Sequence, residues 1–148
     1  MDKVDLLAQS PLFERMSTEE LNYLCSLCKP MRFQAGETVF EEGSLGDTLF
    51  VIARGHLEVV RKDLTGEEKV LTSLSAPQFF GEMSLIEKEF RSATVRAVSD
   101  SELLQLSAEN LNAFRRRYRD GFTFLVVNIA RVLSSRLRES SARLAARL

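Results

Sequence analysis

Residues 79–95 read FFGEMSLIEKEFRSATV, and the order of residue types in this stretch decides how the rest of the chain is read. Gly81 is followed at once by a carboxylate, Glu82. The apolar–polar segment from Met83 to Ile86 is long enough for one helical turn. Arg91, Ser92 and Ala93 then supply an arginine, a hydroxyl and a small residue, and lead into the strand-like TVRAV of residues 94–98. Gly81 lets a ligand approach the backbone closely and tolerates positive φ. Free backbone N–H groups in the first turn after it suit an anion, and the helix dipole adds to the attraction. Arg91 offers a two-pronged donor to phosphate oxygens, and Ser92 adds a hydroxyl. Glu82 cannot serve a phosphate, but its carboxylate accepts hydrogen bonds from a sugar hydroxyl. Anion donors beside one acidic acceptor imply a ligand that is both sugar and phosphate.

On either side of this stretch the chain alternates short β-rich runs with turn signals. The runs are 31–34, 38–41, 48–53, 57–61 and 69–74 before it, and 93–98 and 103–106 at and beyond its end. The breaks are Ala35-Gly36, Glu42-Gly43-Ser44, Arg54-Gly55, Leu64-Thr65-Gly66 and Ser99-Asp100. Many short strands punctuated by glycine predict a β-barrel or sandwich. Ser75-Ala76-Pro77-Gln78, just before Phe79, reads as a proline turn.

Helical patterns flank the β-rich region. Residues 2–8 predict a short helix, broken by Ser10-Pro11. Ser17-Thr18-Glu19-Glu20 reads as a capping box opening a helix through about Leu27, with Leu21, Leu24, Cys25 and Cys28 on its apolar face and Pro30 as its stop. Ser107 is placed to cap a helix through about Tyr118, after which Asp120 and Gly121 punctuate. A long helix is then expected from Phe122 towards Leu148. Leu125, Ile129, Val132, Leu133, Leu137 and Leu144 supply its apolar stripe, and Ala130 and Ala142 permit close approach. Such a helix of ~27 residues is about 40 Å long, more than a small β domain can cover. The surplus stripe calls for a second chain, most simply a copy of itself in a two-fold dimer.

Length and composition set the outer bounds. A chain of 148 residues suits one domain, 1–148, with N-terminal helices over 1–30, the β region over 31–107 and C-terminal helices over 108–148. The hydrophobic share of 45% and charged share of 28% are those of a globular chain. No run approaches the ~18 apolar residues of a membrane span, and the acidic start does not read as a signal peptide, so no membrane association and a cytoplasmic location are expected. The net charge of −1 hides an asymmetry. From Leu111 onward nine arginines face only Asp120 and Glu139, a net of +7, which leaves −8 on residues 1–110. The basic end suits nucleic acid, a membrane or an acidic partner, although the solvated face of a helix explains most such runs. Cys25 and Cys28 form a C-x-x-C pair, but no second pair exists and His56 is the sole histidine, so structural thiols are expected rather than a metal or redox site. His56 itself follows Gly55 and reads as a surface or turn residue. No nucleophile–base pair is recognisable, and an enzyme is not expected.

The 79–95 stretch resembles the phosphate-binding cassette of the cyclic nucleotide-binding domain family. That pattern is roughly Gly-Glu-(Leu/Met)-(Ala/Ser)-Leu, a short loop, then Pro-Arg-(Ser/Thr/Ala)-Ala-(Thr/Ser)-Val. Here Gly81-Glu82-Met83-Ser84-Leu85 and Phe90-Arg91-Ser92-Ala93-Thr94-Val95 stand at the family's common spacing, with Phe90 in place of the proline. Ala35-Gly36-Glu37, Phe40-Glu41-Glu42-Gly43 and the run Leu49-Phe50-Val51-Ile52 ending in Gly55 are similar to the family's turn-and-strand positions, so the resemblance covers most of the chain. It implies a mainly β fold with flanking helices, a jelly-roll-like β-roll, and a long C-terminal helix that dimerises, as in the catabolite-activator type of bacterial regulator. It implies a sensor or regulatory module for signal transduction that binds cyclic AMP, or cyclic GMP, and no other cofactor. Glu82 would take the ribose 2′-hydroxyl. Arg91 and Ser92 would take the cyclic phosphate, beside Ala93 and the backbone N–H groups of Gly81, Met83 and Ser84. The register of Arg136-Leu137-Arg138-Glu139-Ser140-Ser141 resembles the place where that type carries a hydroxyl pair at adenine, which makes Ser140 and Ser141 the candidates for the base, one of them reaching across the dimer. No helix-turn-helix follows within the 148 residues, so direct DNA binding is not expected and the output protein is unknown. Two alternatives stay open: a truncated regulator of this type lacking its helix-turn-helix, and a protein-interaction module whose pocket is unused or holds another phosphorylated ligand.

Overall fold

The computed structural model describes residues 2–82 and 90–147. Two antiparallel four-stranded sheets face each other, with helices packed on the outer face of one of them. In chain order the strands are β1 (Lys29–Phe33), β2 (Thr38–Phe40), β3 (Thr48–Arg54), β4 (His56–Lys62), β5 (Glu68–Ser75), β6 (Phe79–Phe80), β7 (Thr94–Ala97) and β8 (Ser101–Ser107). The sheet orders are β1-β8-β3-β6 and β2-β7-β4-β5. The helices are α1 (Lys3–Gln9), a 3-10 turn (Pro11–Phe13), α2 (Thr18–Leu27), α3 (Ala108–Arg117) and α4 (Arg119–Arg147).

Period-two alternation explains why β3 is apolar at four consecutive positions. Leu49 and Val51 point to the helices, joining Leu7, Phe13, Leu24, Phe114 and Leu125 in one core cluster. Phe50 and Ile52 point the other way, between the sheets, joining Leu57, Leu74, Phe80, Val95 and Leu103. Residues in strand β8 divide in the same manner, Leu104 and Leu106 outward to the helices and Leu103 inward. The two central strands therefore glue three layers together.

The caps act as the sequence expects. Ser17 Oγ accepts from Glu20 N at 3.1 Å while Glu20 Oε1 accepts from Ser17 N at 2.9 Å. Ser107 Oγ accepts from Asn110 N at 3.1 Å and starts α3. α2 ends at Leu27, as expected, with Cys28 as its cap, and Pro30, read as its stop, lies beyond it in β1 opposite Leu104. It is tolerated because β1 is an edge strand, where a missing N–H costs no ladder bond. Phe79-Phe80 form a strand of their own, paired with Val51 and Phe50. Asp120 and Gly121 do not interrupt the C-terminal helices: α4 begins at Arg119 and includes both. Gly121 is there for close approach, since a Cβ at that position would collide with Glu20 and crowd Phe114.

The long helix is not uniform along its length. Leu125 and Ile129 are buried in their own protomer's core. Asn128, also buried, donates its Nδ2–H groups to the Leu12 and Glu14 carbonyls at 2.9 Å each and so ties α4 to the 3-10 turn. From Ser134 to Ala145 every residue of the helix is exposed, with Leu137 at 68% and Leu144 at 62%. The apolar stripe thus divides into an inner half used by this chain and an outer half left open. Cys28 is buried and Cys25 half-buried, and both are free thiols. Burial pushes the Cys28 thiol up to about 12 and raises that of Cys25, so neither is a ready nucleophile. His56 is exposed at the start of β4.

Candidate functional site

A cavity of about 650 Å³ lies between the β-roll and the distal half of α4. That volume is within the ~300–1,000 Å³ usual for small-molecule sites. Its wall on the roll side includes Phe80, Gly81, Glu82, Arg91, Ser92 and Ala93, and α4 contributes Arg136, Glu139, Ser140 and Arg143. The sequence places Gly81, Glu82, Arg91, Ser92, Ala93 and Ser140 together, and the structure brings all six to one space. Ser141 is exposed and does not line it. Helix geometry is the reason: residues 136, 139, 140 and 143 share one face centred near 136 and 143, while 141 is rotated by roughly 150° from that centre. Met83, Ser84 and the helical turn expected at 83–86 lie outside the described residues.

Local geometry fixes Arg91 from every side. Its backbone N–H donates to the Ser44 carbonyl at 2.7 Å, and its carbonyl accepts from Gly43 N at 2.8 Å. Its Nη2 donates to the Thr48 carbonyl at 3.0 Å and to Thr48 Oγ1 at 3.1 Å. The guanidinium carbon stands 4.1 Å from the Phe40 ring centroid, a cation–π contact. Gly46 has no room for a side chain, since a Cβ there would run into the Arg91 guanidinium. Gly81, at φ +83°, brings its carbonyl within 3.4 Å of Arg91 Nη1. A Cβ at 81 would sit 2.7 Å from the Thr48 carbonyl, so glycine is required there for conformation and for space.

Burial lowers the Arg91 guanidinium below its ordinary value, opposed by Asp47 and Glu82. An arginine remains charged regardless. Desolvation instead strengthens its pull on an anion, because the interaction is screened less. Glu82 is buried nearby, and its Oε1 accepts from Arg136 Nη1 at 2.7 Å. Arg136 also packs over the Phe79 ring, 5.1 Å from the centroid. Through these two contacts Arg136 ties the cassette to α4. Sequence reasoning missed Arg136, Thr48, Gly46 and Phe40. Arg136 is 54 residues from Glu82, and no local pattern pairs them; its helical spacing of four from Ser140 was the one signal available. Phe90, which stands where proline is usual, is exposed and pairs with Leu45 in an isolated antiparallel bridge. Among the described residues no cluster of His, Cys, Asp and Glu suits a metal ion, and no helix is long and apolar enough to cross a membrane.

A buried arginine and a buried glutamate on one cavity wall, on a two-sheet roll closed by a long helix, define a site for a ligand with both anionic and hydroxyl groups. The chain belongs to the cyclic nucleotide-binding domain family, whose model matches residues 30–118. It is 36% identical over 135 residues to the cyclic AMP receptor protein of Thermus thermophilus, covering 91% of this chain and 61% of that protein's length. The crystal structure of the Thermus thermophilus catabolite activator protein superposes with a TM-score of 0.81 at 36% identity, over 91% of this chain and 62% of that one. A cyclic nucleotide-binding domain from Methylobacillus flagellatus superposes at 0.86 with 25% identity, over 99% of this chain and 82% of that one. The β-roll with a long C-terminal helix is the fold of this family.

Proposed function

We propose that residues 1–148 form a single sensor domain that binds a cyclic nucleotide, with cyclic AMP preferred over cyclic GMP, and signals through α4 as a homodimer. The observation that carries the reading is the pairing of buried Arg91 and buried Glu82 on one wall of a cavity whose other wall holds Ser140. Arg91 and Ser92 take the cyclic phosphate, Glu82 takes the ribose 2′-hydroxyl, and the backbone of Gly81, Met83 and Ser84 completes the anion cage beside Ala93. Arg136, bonded to Glu82, joins the ribose end of the site. Ser140 faces the base, and Ser141 reaches it only from a second copy. The preference for adenine rests on Ser140; its relative from Thermus thermophilus is named as a cyclic AMP receptor. The role is regulatory and not catalytic, in a cytoplasmic protein.

The dimer has a geometric basis in α4. Val126, Ala130, Leu133, Leu137, Ser140 and Leu144 recur at alternating steps of four and three, the spacing of a left-handed coiled-coil seam. Val126, Leu137 and Leu144 on it are exposed at 48%, 68% and 62%, apolar area that a paired helix would cover. Ser140 belongs to this seam and to the cavity wall, so a ligand touching it meets the interface as well.

Isothermal calorimetry of Arg91→Ala tests the reading. Cyclic AMP affinity falls by about 100-fold or more, since two or so charged hydrogen bonds are lost at ~1.5–3 kcal/mol each. Unchanged affinity would remove the phosphate assignment. Mass analysis of any nucleotide carried through purification identifies the natural ligand.

A further inference from the structure

The junction of α3 and α4, at the opposite end of α4 from the nucleotide cavity, carries a second concavity of about 590 Å³. Arg116, Arg117 and Arg119 line it, together with Tyr118 and Phe124. Among the described residues none of these arginines, nor the adjacent Arg115, forms an ion pair with a carboxylate. Helix electrostatics account for part of the cluster, because Arg115, Arg116 and Arg117 occupy the last turn of α3, where cations are favoured. They do not account for Arg119. It is the first residue of α4, at the positive end of that helix dipole, and it adds a fourth cation to three neighbours of like charge. An anion seated among them relieves that repulsion.

The concavity is also preorganised. The Arg117 guanidinium carbon lies 4.8 Å from the Tyr23 centroid and 5.5 Å from that of Tyr118, and these two rings pack edge to face at 5.7 Å. An arginine stacked in this way presents its donors with little rotamer entropy left to lose. The two carboxylates at the site have other duties. Glu20 holds the capping box of α2, and Asp120 lies in the first turn of α4, where it complements the dipole.

We infer that this concavity docks an acidic segment of a partner protein, one in which carboxylates flank an apolar side chain. Carboxylates match the guanidinium forks, and half-buried Tyr118 and Phe124 offer an apolar seat between them. A nucleic-acid duplex, with its bases stacked inside a charged backbone, offers no apolar side chain to the Tyr118 and Phe124 seat. The docking site is independent of the nucleotide reading, since some 17 residues of helix, roughly 25 Å, separate Arg119 from Arg136.

Fluorescence anisotropy on the 148-residue chain tests this with two labelled probes: the hexapeptide Glu-Asp-Glu-Phe-Glu-Asp and a 20-base-pair DNA duplex. The peptide binds saturably at tens of micromolar or so in low salt, and its Gln/Asn analogue binds at least about tenfold more weakly. The double variant Arg116→Ala, Arg119→Ala loses at least about tenfold in peptide affinity while its cyclic AMP titration and circular dichroism stay unchanged. Arg117 is left intact because its stacking supports the fold. No saturable peptide binding up to about 1 mM, equal binding by wild type and double variant, or tighter binding of the duplex than of the peptide would each overturn the inference.

Discussion

The two walls of the nucleotide cavity are built on opposite principles. On the roll side, Arg91 is held by its own backbone, by Thr48, by Gly81 and by the Phe40 ring. Phe40 and Thr48 lie in strands β2 and β3, and Gly81 directly follows β6. On the helix side, Arg136, Glu139, Ser140 and Arg143 project from the half of α4 that lies beyond its anchor at Asn128. Among the described residues Arg136 ties that half to the cassette, through its ion pair with Glu82 and its packing over the Phe79 ring. The contrast teaches where recognition and response reside in the proposed sensor. A preformed wall gives affinity with little reorganisation. A wall hung on an exposed helix gives a ligand something to move, provided that it binds one helix position better than another.

The sharpest way to break the contrast is at the fixed wall. Arg91→Ala lowers cyclic nucleotide affinity by about 100-fold or more with the thermal midpoint nearly kept, because the side chain is held for the ligand more than for the core. Gly46→Ala has a related but smaller effect, about tenfold, since the new Cβ displaces the guanidinium without removing it. An Arg91→Ala protein that unfolds, or a Gly46→Ala protein of native affinity, shows that the wall is not the preformed cradle described.

The free half of α4 is tested by association. On the proposed dimer, Leu137→Glu puts a charge on the exposed seam and shifts the chain from dimer to monomer in analytical ultracentrifugation at tens of micromolar. Ile129→Glu is the wrong probe, despite lying on the stripe read from the sequence. Ile129 is buried in its own protomer, and a charge there costs several kcal/mol of fold stability. A native chain that sediments as a monomer with and without nucleotide ends the dimer proposal.

The smallest effect is expected at the tie between the walls. Arg136 is half-exposed, so Arg136→Gln weakens nucleotide binding by only about threefold to tenfold, and the loss shrinks as salt is raised. A loss as large as that of Arg91→Ala makes the helix wall as decisive as the roll and erases the distinction.

How much of this was legible beforehand follows the range of the interactions involved. The β-runs and the caps at Ser17 and Ser107 are local patterns, and the structure reproduces them within a residue or two. Gly36, Gly43 and Gly55 mark turns with positive φ, as a strand-turn reading requires. Gly121 shows the limit of that rule, for it sits inside α4 where the Glu20 carboxylate and the Phe114 ring approach closely, which is a tertiary fact. The stripe on α4 was visible, but its division into a buried and an exposed half depends on where Asn128 meets the 3-10 turn, 114 residues or more earlier. Arg136 and Thr48 escaped for the same reason: each acts on a residue more than 40 positions away.

Calorimetric titration of the native 148-residue chain with cyclic AMP, cyclic GMP and linear 5′-AMP tests the central claim most directly. The account predicts saturable binding of cyclic AMP at micromolar or tighter affinity, weaker binding of cyclic GMP, and weaker still of 5′-AMP, whose phosphate carries more charge and is not held by the ring. A tenfold preference for cyclic GMP contradicts the base assignment alone. No binding of either cyclic nucleotide, by a chain shown to be folded and free of carried ligand, contradicts the account as a whole.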